Sequence, residues 1–329
     1  MSAEPIKYLN NLRVFATVLV ICLHVCASYM FDYKLNRWQW EAVNALDSAT
    51  RSCIGLFFMI TGALLVQKSI EIKSFLKKRF SRIIYPFIFW SIVYVVFSYL
   101  TEHKPLDAII QQSIYFGAYY HFWYVYILIG IYLFLPIISV FMIHANKTHM
   151  QYYLVIWTIW LASNMYVFDD ILPNINLIYF SGYLGYVVLG YYFHHVYKEI
   201  KTYKIILAIA IGYLITFIGT SIVSEKHGHL ETTFYQYLDL NVTLMTAGFF
   251  LLFKYFITQS NAFIAFISKY SYGIYFIHPL FIYYFKHYSI TFSAIWVVDI
   301  LIKTIIVTLL SLFAIYSLNK VPRLKLFIG

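Results

Sequence analysis

The sequence predicts an all-α, polytopic integral membrane protein with about ten transmembrane helices and both termini in the cytoplasm. Three observations carry this expectation. Of 329 residues, 62% are apolar and only 12% charged, against roughly 45–50% and 25% in soluble domains. The apolar residues gather into near-continuous runs, such as 205–223 and 295–318. A membrane β-barrel would instead alternate apolar and polar residues over about ten positions. Cationic residues fall between the runs and favour alternate loops, the pattern that orients helical membrane proteins. A water-soluble globular enzyme, a disordered chain and a fibrous repeat are thereby excluded.

About 20 residues cross the hydrocarbon core, so ten spans use most of the chain and leave short loops. The spans read as roughly 9–31, 52–67, 83–101, 119–142, 152–168, 178–197, 204–223, 238–257, 271–287 and 294–318. In the first, Val25-Cys26-Ala27 resembles a signal-peptide cleavage site, but Arg13 and His24 are foreign to a secretory apolar region. Sixteen of the 24 Lys and Arg residues lie at the termini and in the even-numbered loops, and five in the odd-numbered loops. The positive-inside rule then places both termini in the cytoplasm. The net charge of +10 is read as this orientation signal, and no nucleic-acid partner is expected. One membrane domain over 1–329 is expected, without a separate soluble domain. Cys22, Cys26 and Cys53 form no C-x-x-C and read as small apolar fillers. No metal is expected.

Ionisable groups inside a bilayer cost roughly 2.5–3.5 kcal/mol or more and mark functional positions. Arg13 and His24 are eleven residues apart in the first span. Eleven residues turn a helix by three turns and about 20°, and advance it about 16 Å. Both side chains therefore share one face, Arg13 near the inner headgroups and His24 well inside the bilayer. Two costly groups on one stripe favour a shared ligand path over a snorkelling arginine and a packing histidine. His121, in the run Tyr119 to Tyr124, and His278, in the run Ser271 to Pro279, sit in aromatic surroundings; interface anchoring and function are both open for them. His194 and His195 read as interface anchors. The loop 68–82 carries Lys77, Lys78, Arg79 and Arg82. These suit either anionic lipids or a phosphorylated cytosolic cofactor.

In this order the residues resemble the membrane-bound acyltransferase-3 family. Arg13 to His24 matches its Arg, ten residues, His pattern. The run 56–62 resembles its second-helix segment, with Thr61 where the family usually carries Ser. The run 75–86 resembles its basic loop into the third helix. His121-Phe122-Trp123 with Pro136, Gly185-Tyr186 with Gly190-Tyr191, and 271–279 match further stretches. The likeness is greatest to the short, single-domain branch that includes the enterobacterial common antigen O-acetyltransferase, which shares a segment resembling Trp40, Asn44, Leu46, Ser48-Ala49 and Arg51. Asp47 stands where an amide is expected.

The resemblance implies a ten-helix O-acyltransferase of the cell (plasma or inner) membrane. It would move an acyl group, usually acetyl, from cytosolic acyl-CoA to a hydroxyl of a cell-envelope glycan or lipid-linked sugar. Acetyl-CoA is then the co-substrate. Its phosphates are expected at Arg13, Lys77, Lys78, Arg79 and Arg82, and its pantetheine arm in a groove running from Arg13 to His24. The acceptor is expected to approach from the outer side past Arg51, His121, Trp123 and His278. Imidazole is well matched to deprotonate a sugar hydroxyl near neutral pH, so His24 is read as general base or acyl carrier. Asp47, Asp239 and Asp299 are the carboxylates available to orient it. The principal alternative is a transporter or flippase of a lipid-linked or polymeric glycan, although the sequence lacks the paired Gly/Pro-interrupted helices common in such proteins.

Overall fold

A computed structural model of the chain describes residues 6–31, 36–66, 71–102, 105–163, 165, 182–198 and 201–329. Among them every regular element is helical: α1 (Lys7–Met30), α2 (Arg37–Thr50), α3 (Cys53–Leu65), α4 (Ile72–Glu102), α5 (Leu106–Phe116), α6 (Trp123–His144), α7 (Lys147–Ser163), α8 (Leu184–Tyr191), α9 (Thr202–His227), α10 (Leu240–Phe256), α11 (Ala262–His287) and α12 (Trp296–Asn319). Among the described residues seven helical stretches are long and apolar enough to cross a membrane: Lys7–Met30, Arg37–Leu65, Ile72–Thr101, Trp123–His144, Thr202–His227, Thr233–Phe256 and Trp296–Asn319. The expected fifth and sixth spans lie partly outside the described residues.

Helices dominate because a chain in hydrocarbon must satisfy its backbone groups internally. Several helices turn a stripe of bulky apolar side chains outward at four-residue spacing. Ile88, Ile92 and Val96 do so on α4, and Ile305, Leu309 and Phe313 on α12. That stripe suits acyl chains, whereas in water it would be an association surface.

Helix α1 lies at the centre, packed against α2, α3, α10, α11 and α12. Its Leu12, Ala16, Ile21 and Cys26 are fully enclosed. Around it, α9 pairs with α10, α11 with α12, and α3 with α8. The α3–α8 crossing depends on two glycines. A Cβ on Gly62 would stand 1.9 Å from the Val187 carbonyl oxygen, and one on Gly190 would stand 2.1 Å from that of Met59. Backbones approach this closely in membranes where small residues face each other.

Two segments differ from the sequence expectation. The second span does not begin at 52: α2 leads into α3 through a turn at Arg51–Ser52, forming one stretch from Arg37 to Leu65. Asn44, Asp47 and Ser48 on α2 face inward and are buried, so their polarity concealed a packed helix. The basic segment 72–82, read as a loop, forms the first turns of α4. Lys, Arg and Leu are good helix formers, and Pro86 lies inside the helix rather than ahead of it.

Candidate active site

The site is framed by α1 and α11, which run side by side in the same direction. Near one end the Arg13 guanidinium donates to Ser268 Oγ at 3.2 Å, and Ser268 in turn donates to Asn10 Oδ1 at 3.0 Å. Further along, the His24 and His278 rings stack with centroids 5.3 Å apart and planes inclined by 22°. Eleven residues of α1 and ten of α11 separate these contacts, so the two helices keep register over about 16 Å.

His121 joins the pair. It precedes α6 in a turn reached through Gly117, whose φ of +93° is open to glycine at little cost. The His121 ring meets that of His278 edge-on at 5.6 Å, and Tyr275 donates its hydroxyl proton to the His121 carbonyl. His121 and His278 are 1% and 0% exposed, while His24 is partly buried. Among the described residues neither ring nitrogen of His121 makes a well-formed hydrogen bond, nor does Nε2 of His278. A carbonyl can only accept, so the 3.2 Å contact from His278 Nδ1 to the Ile274 oxygen places a proton on Nδ1. In the neutral ring Nε2 is then a bare acceptor. Three imidazoles with three unsatisfied nitrogens in one buried cluster are uncommon in a finished core and suit a site that receives a hydroxyl group. Among the described residues no group of His, Cys, Asp or Glu is arranged to hold a metal ion.

Arg13 lines a cavity of about 210 Å³ together with Arg79, Arg82, Tyr132, Tyr272 and Ser271. His24 lines a second space of about 10 Å³, with His121, Trp123, Cys53 and Tyr237 in its wall. That volume holds about one water molecule. Tyr124 and Tyr275 belong to both walls, and their rings pack edge to face at 5.5 Å. The expected continuous groove is therefore two cavities divided by this tyrosine pair, whose bulk fills the passage.

Other expected residues sort by helix geometry. On α4, Arg79 and Arg82 are three residues apart and face the Arg13 cavity. Lys77 and Lys78 point away, into an open groove with Ser74, Ser81 and Tyr85, so the four cations do not converge. Trp123 lines the His24 cavity and stacks on Tyr237 at 5.4 Å. Arg51 does not line that cavity. It ion-pairs with the fully buried Asp47 and lies 3.8 Å above the Tyr235 ring. None of Asp47, Asp239 and Asp299 hydrogen-bonds to His24 among the described residues. Asp47 serves Arg51, and Asp299 accepts from Tyr29, Lys303, Phe292 N and Ser293 N.

Sequence reasoning passed over Tyr124, Tyr132, Tyr272 and Tyr275. Their signal was periodic: Tyr124, Leu128 and Tyr132 repeat every four residues on α6, and Tyr272, Tyr275 and His278 every three on α11. Each set is the inward stripe of its helix.

No curated protein and no solved structure matches the chain significantly. The profile of an acyltransferase domain, that of the acyltransferase-3 family, matches residues 6–319. That match takes in every helix from α1 to α12, including the arginine and histidine stripe of α1 and the aromatic wall around it, and the chain belongs to the acyltransferase-3 family of membrane acyltransferases.

Proposed function

We propose that the protein transfers an acyl group, acetyl in the first instance, from cytosolic acyl-CoA to a hydroxyl of a cell-envelope glycan or lipid-linked sugar. It would do so in the cell membrane, with both termini cytoplasmic, as in the branch of the enterobacterial common antigen O-acetyltransferase. The observation that carries the reading is the arrangement along α1 and α11: a cavity with three arginines at one level and a cluster of three histidines about 16 Å further on.

In this reading the CoA phosphates bind Arg13, Arg79 and Arg82, whose guanidinium groups offer forked donors to phosphate oxygens. Lys77 and Lys78 take no part in donor binding, because they line a separate groove. The pantetheine arm passes between Tyr124 and Tyr275 once their rings turn aside. His24 removes the proton from the acceptor hydroxyl as its oxygen attacks the thioester carbonyl carbon. The tetrahedral oxyanion then collapses, the carbon–sulfur bond breaks, and the CoA thiolate leaves with the proton that His24 returns. His278, fully enclosed, backs the His24 ring by stacking and fixes its orientation.

The test is acyl incorporation into envelope glycans, read by mass spectrometry of cells expressing wild type or His24→Ala. A general base contributes about 10²–10⁴-fold, so the variant is expected to leave no detectable acyl increment while reaching the membrane in normal amounts. An undiminished increment would remove His24 from the chemistry.

A further inference from the structure

A third cavity, of about 250 Å³, lies between α1, α11 and α12 and is lined by Ser28, Tyr29, Ile282, Lys286, Thr291 and Lys303. Its place relative to the histidines follows from helix geometry. Ser28 is four residues beyond His24 on α1, and Ile282 is four beyond His278 on α11. Each is one turn, about 6 Å, further along the same helix face. The cavity therefore sits about one turn past the stacked imidazoles, on the side away from Arg13 and beside the turn joining α11 to α12, with a wall separate from that of the His24 space.

Its chemistry is unusual for a space among apolar helices. Lys303 is 9% exposed. Its ammonium donates to Asp299 Oδ2 and to the Tyr29 hydroxyl, both at 2.7 Å. An ammonium has three N–H groups, and among the described residues the third has no partner. Asp299 is already saturated: one carboxylate oxygen accepts from Tyr29 and Lys303, the other from the backbone N–H groups of Phe292 and Ser293. The carboxylate thus neutralises and fixes the lysine, and ties the turn to α12. What remains for a ligand is an ion pair with a spare donor, the exposed Lys286 ammonium, the Ser28 and Thr291 hydroxyls, and an apolar wall at Ile282. This combination suits a hydroxyl-rich ring with one apolar face.

We infer that this cavity is the acceptor subsite, in which a sugar ring of the glycan is held, one ring or hydroxyl oxygen on the free N–H of Lys303, with the hydroxyl to be acylated directed at His24. The inference rests on the acyl-transfer reading above. It gives the acceptor an entrance distinct from the expected one past Arg51 and Trp123.

Single cysteines placed at Ser28 and, in a separate variant, at Thr291 test it. Intact cells are treated from outside with a membrane-impermeant, cationic methanethiosulfonate. New acyl incorporation into the envelope glycan is then followed, and CoA binding is measured on the purified, labelled protein. Wild type is the control, since its three cysteines are buried. Both variants are expected to be labelled, to lose transfer by at least about tenfold, as for a blocked pocket, and to keep their CoA affinity. Three results would overturn the inference: no labelling of either variant, labelling with transfer unchanged, or a loss of CoA affinity on labelling, which would put the cavity on the donor path. His24→Ala separates the two claims. If that variant still transfers acyl groups, the parent reading fails whatever the labelling shows; if it is inactive and the labelled cysteine variants stay active, only the acceptor subsite fails.

Discussion

Asp47 shows how far one side chain's role depends on its partner. Its carboxylate is fully buried, and its oxygens are occupied by Arg51 and by the Thr50 hydroxyl at 3.0 Å. Asp47→Asn leaves the guanidinium facing an amide, and breaking a buried ion pair from one side costs about 3–5 kcal/mol. The variant is expected to unfold at clearly lower temperature in thermal melts of the purified protein. The double variant Asp47→Asn/Arg51→Met, which removes both charges, is expected to recover most of the loss. Equal melting of wild type and Asp47→Asn would show that the pair contributes nothing. At this scale the sequence is informative where a residue is costly in oil: Arg13, His24, His121 and His278 each stand out from their apolar surroundings; the first three line the two cavities, and His278 stacks behind His24. It was uninformative for tyrosines, since a chain with 33 of them offers no way to pick Tyr124 and Tyr275 except by helical phase. The pairing of Arg51 with Asp47 could be read as an i, i+4 contact only once residues 37–50 were known to be helical.

Among the elements, α4 decides which cations can meet a ligand. Its register directs Arg79 and Arg82 to the Arg13 cavity, and Lys77 and Lys78 to a separate groove. Arg82→Gln is therefore expected to weaken CoA binding by roughly ten- to a hundredfold, the range for a lost hydrogen bond to a charged group. Lys77→Gln/Lys78→Gln is expected to leave it within about fivefold, since exposed charges contribute about 0–1 kcal/mol. Equilibrium binding of labelled CoA to purified protein checks both, and equal losses would contradict the division of the helix faces. The α3–α8 crossing makes a second prediction. Gly62→Leu places carbon against backbone that cannot yield, and this variant is expected to be lost as aggregate on size exclusion. Gly130→Ala adds a methyl where no atom lies within 4 Å, and is expected to run as wild type. Loop assignments failed at this scale because charge was read as a sign of non-helical structure. Both α2 and the start of α4 are helices whose polar faces serve packing or ligands.

For the whole molecule, the succession of apolar runs is sufficient to predict an all-helical membrane protein, and among the described residues seven stretches are long and apolar enough to cross the bilayer. Helix α11 is not among them although it has 26 residues; its histidines, tyrosines and Lys269, several facing the central site, lower its hydropathy. The span count inferred from apolarity alone thus depends on how much of a helix is given over to the site. The proposed orientation, with Arg13 inward and the Lys303 cavity outward, predicts that reporter fusions at both termini are active only in the cytoplasm. Donor binding at one end of α1 and α11 and chemistry at the other divide the labour of these two helices. This division is tested most directly by transfer kinetics from labelled acetyl-CoA in purified protein reconstituted in lipid nanodiscs, comparing Arg13→Ala with His24→Ala. Arg13→Ala is expected to raise the KM for acetyl-CoA by about tenfold or more with kcat little changed. His24→Ala is expected to lower kcat by at least about a hundredfold with CoA affinity unchanged. A His24→Ala enzyme with wild-type kcat, or an Arg13→Ala enzyme with wild-type KM, would contradict it.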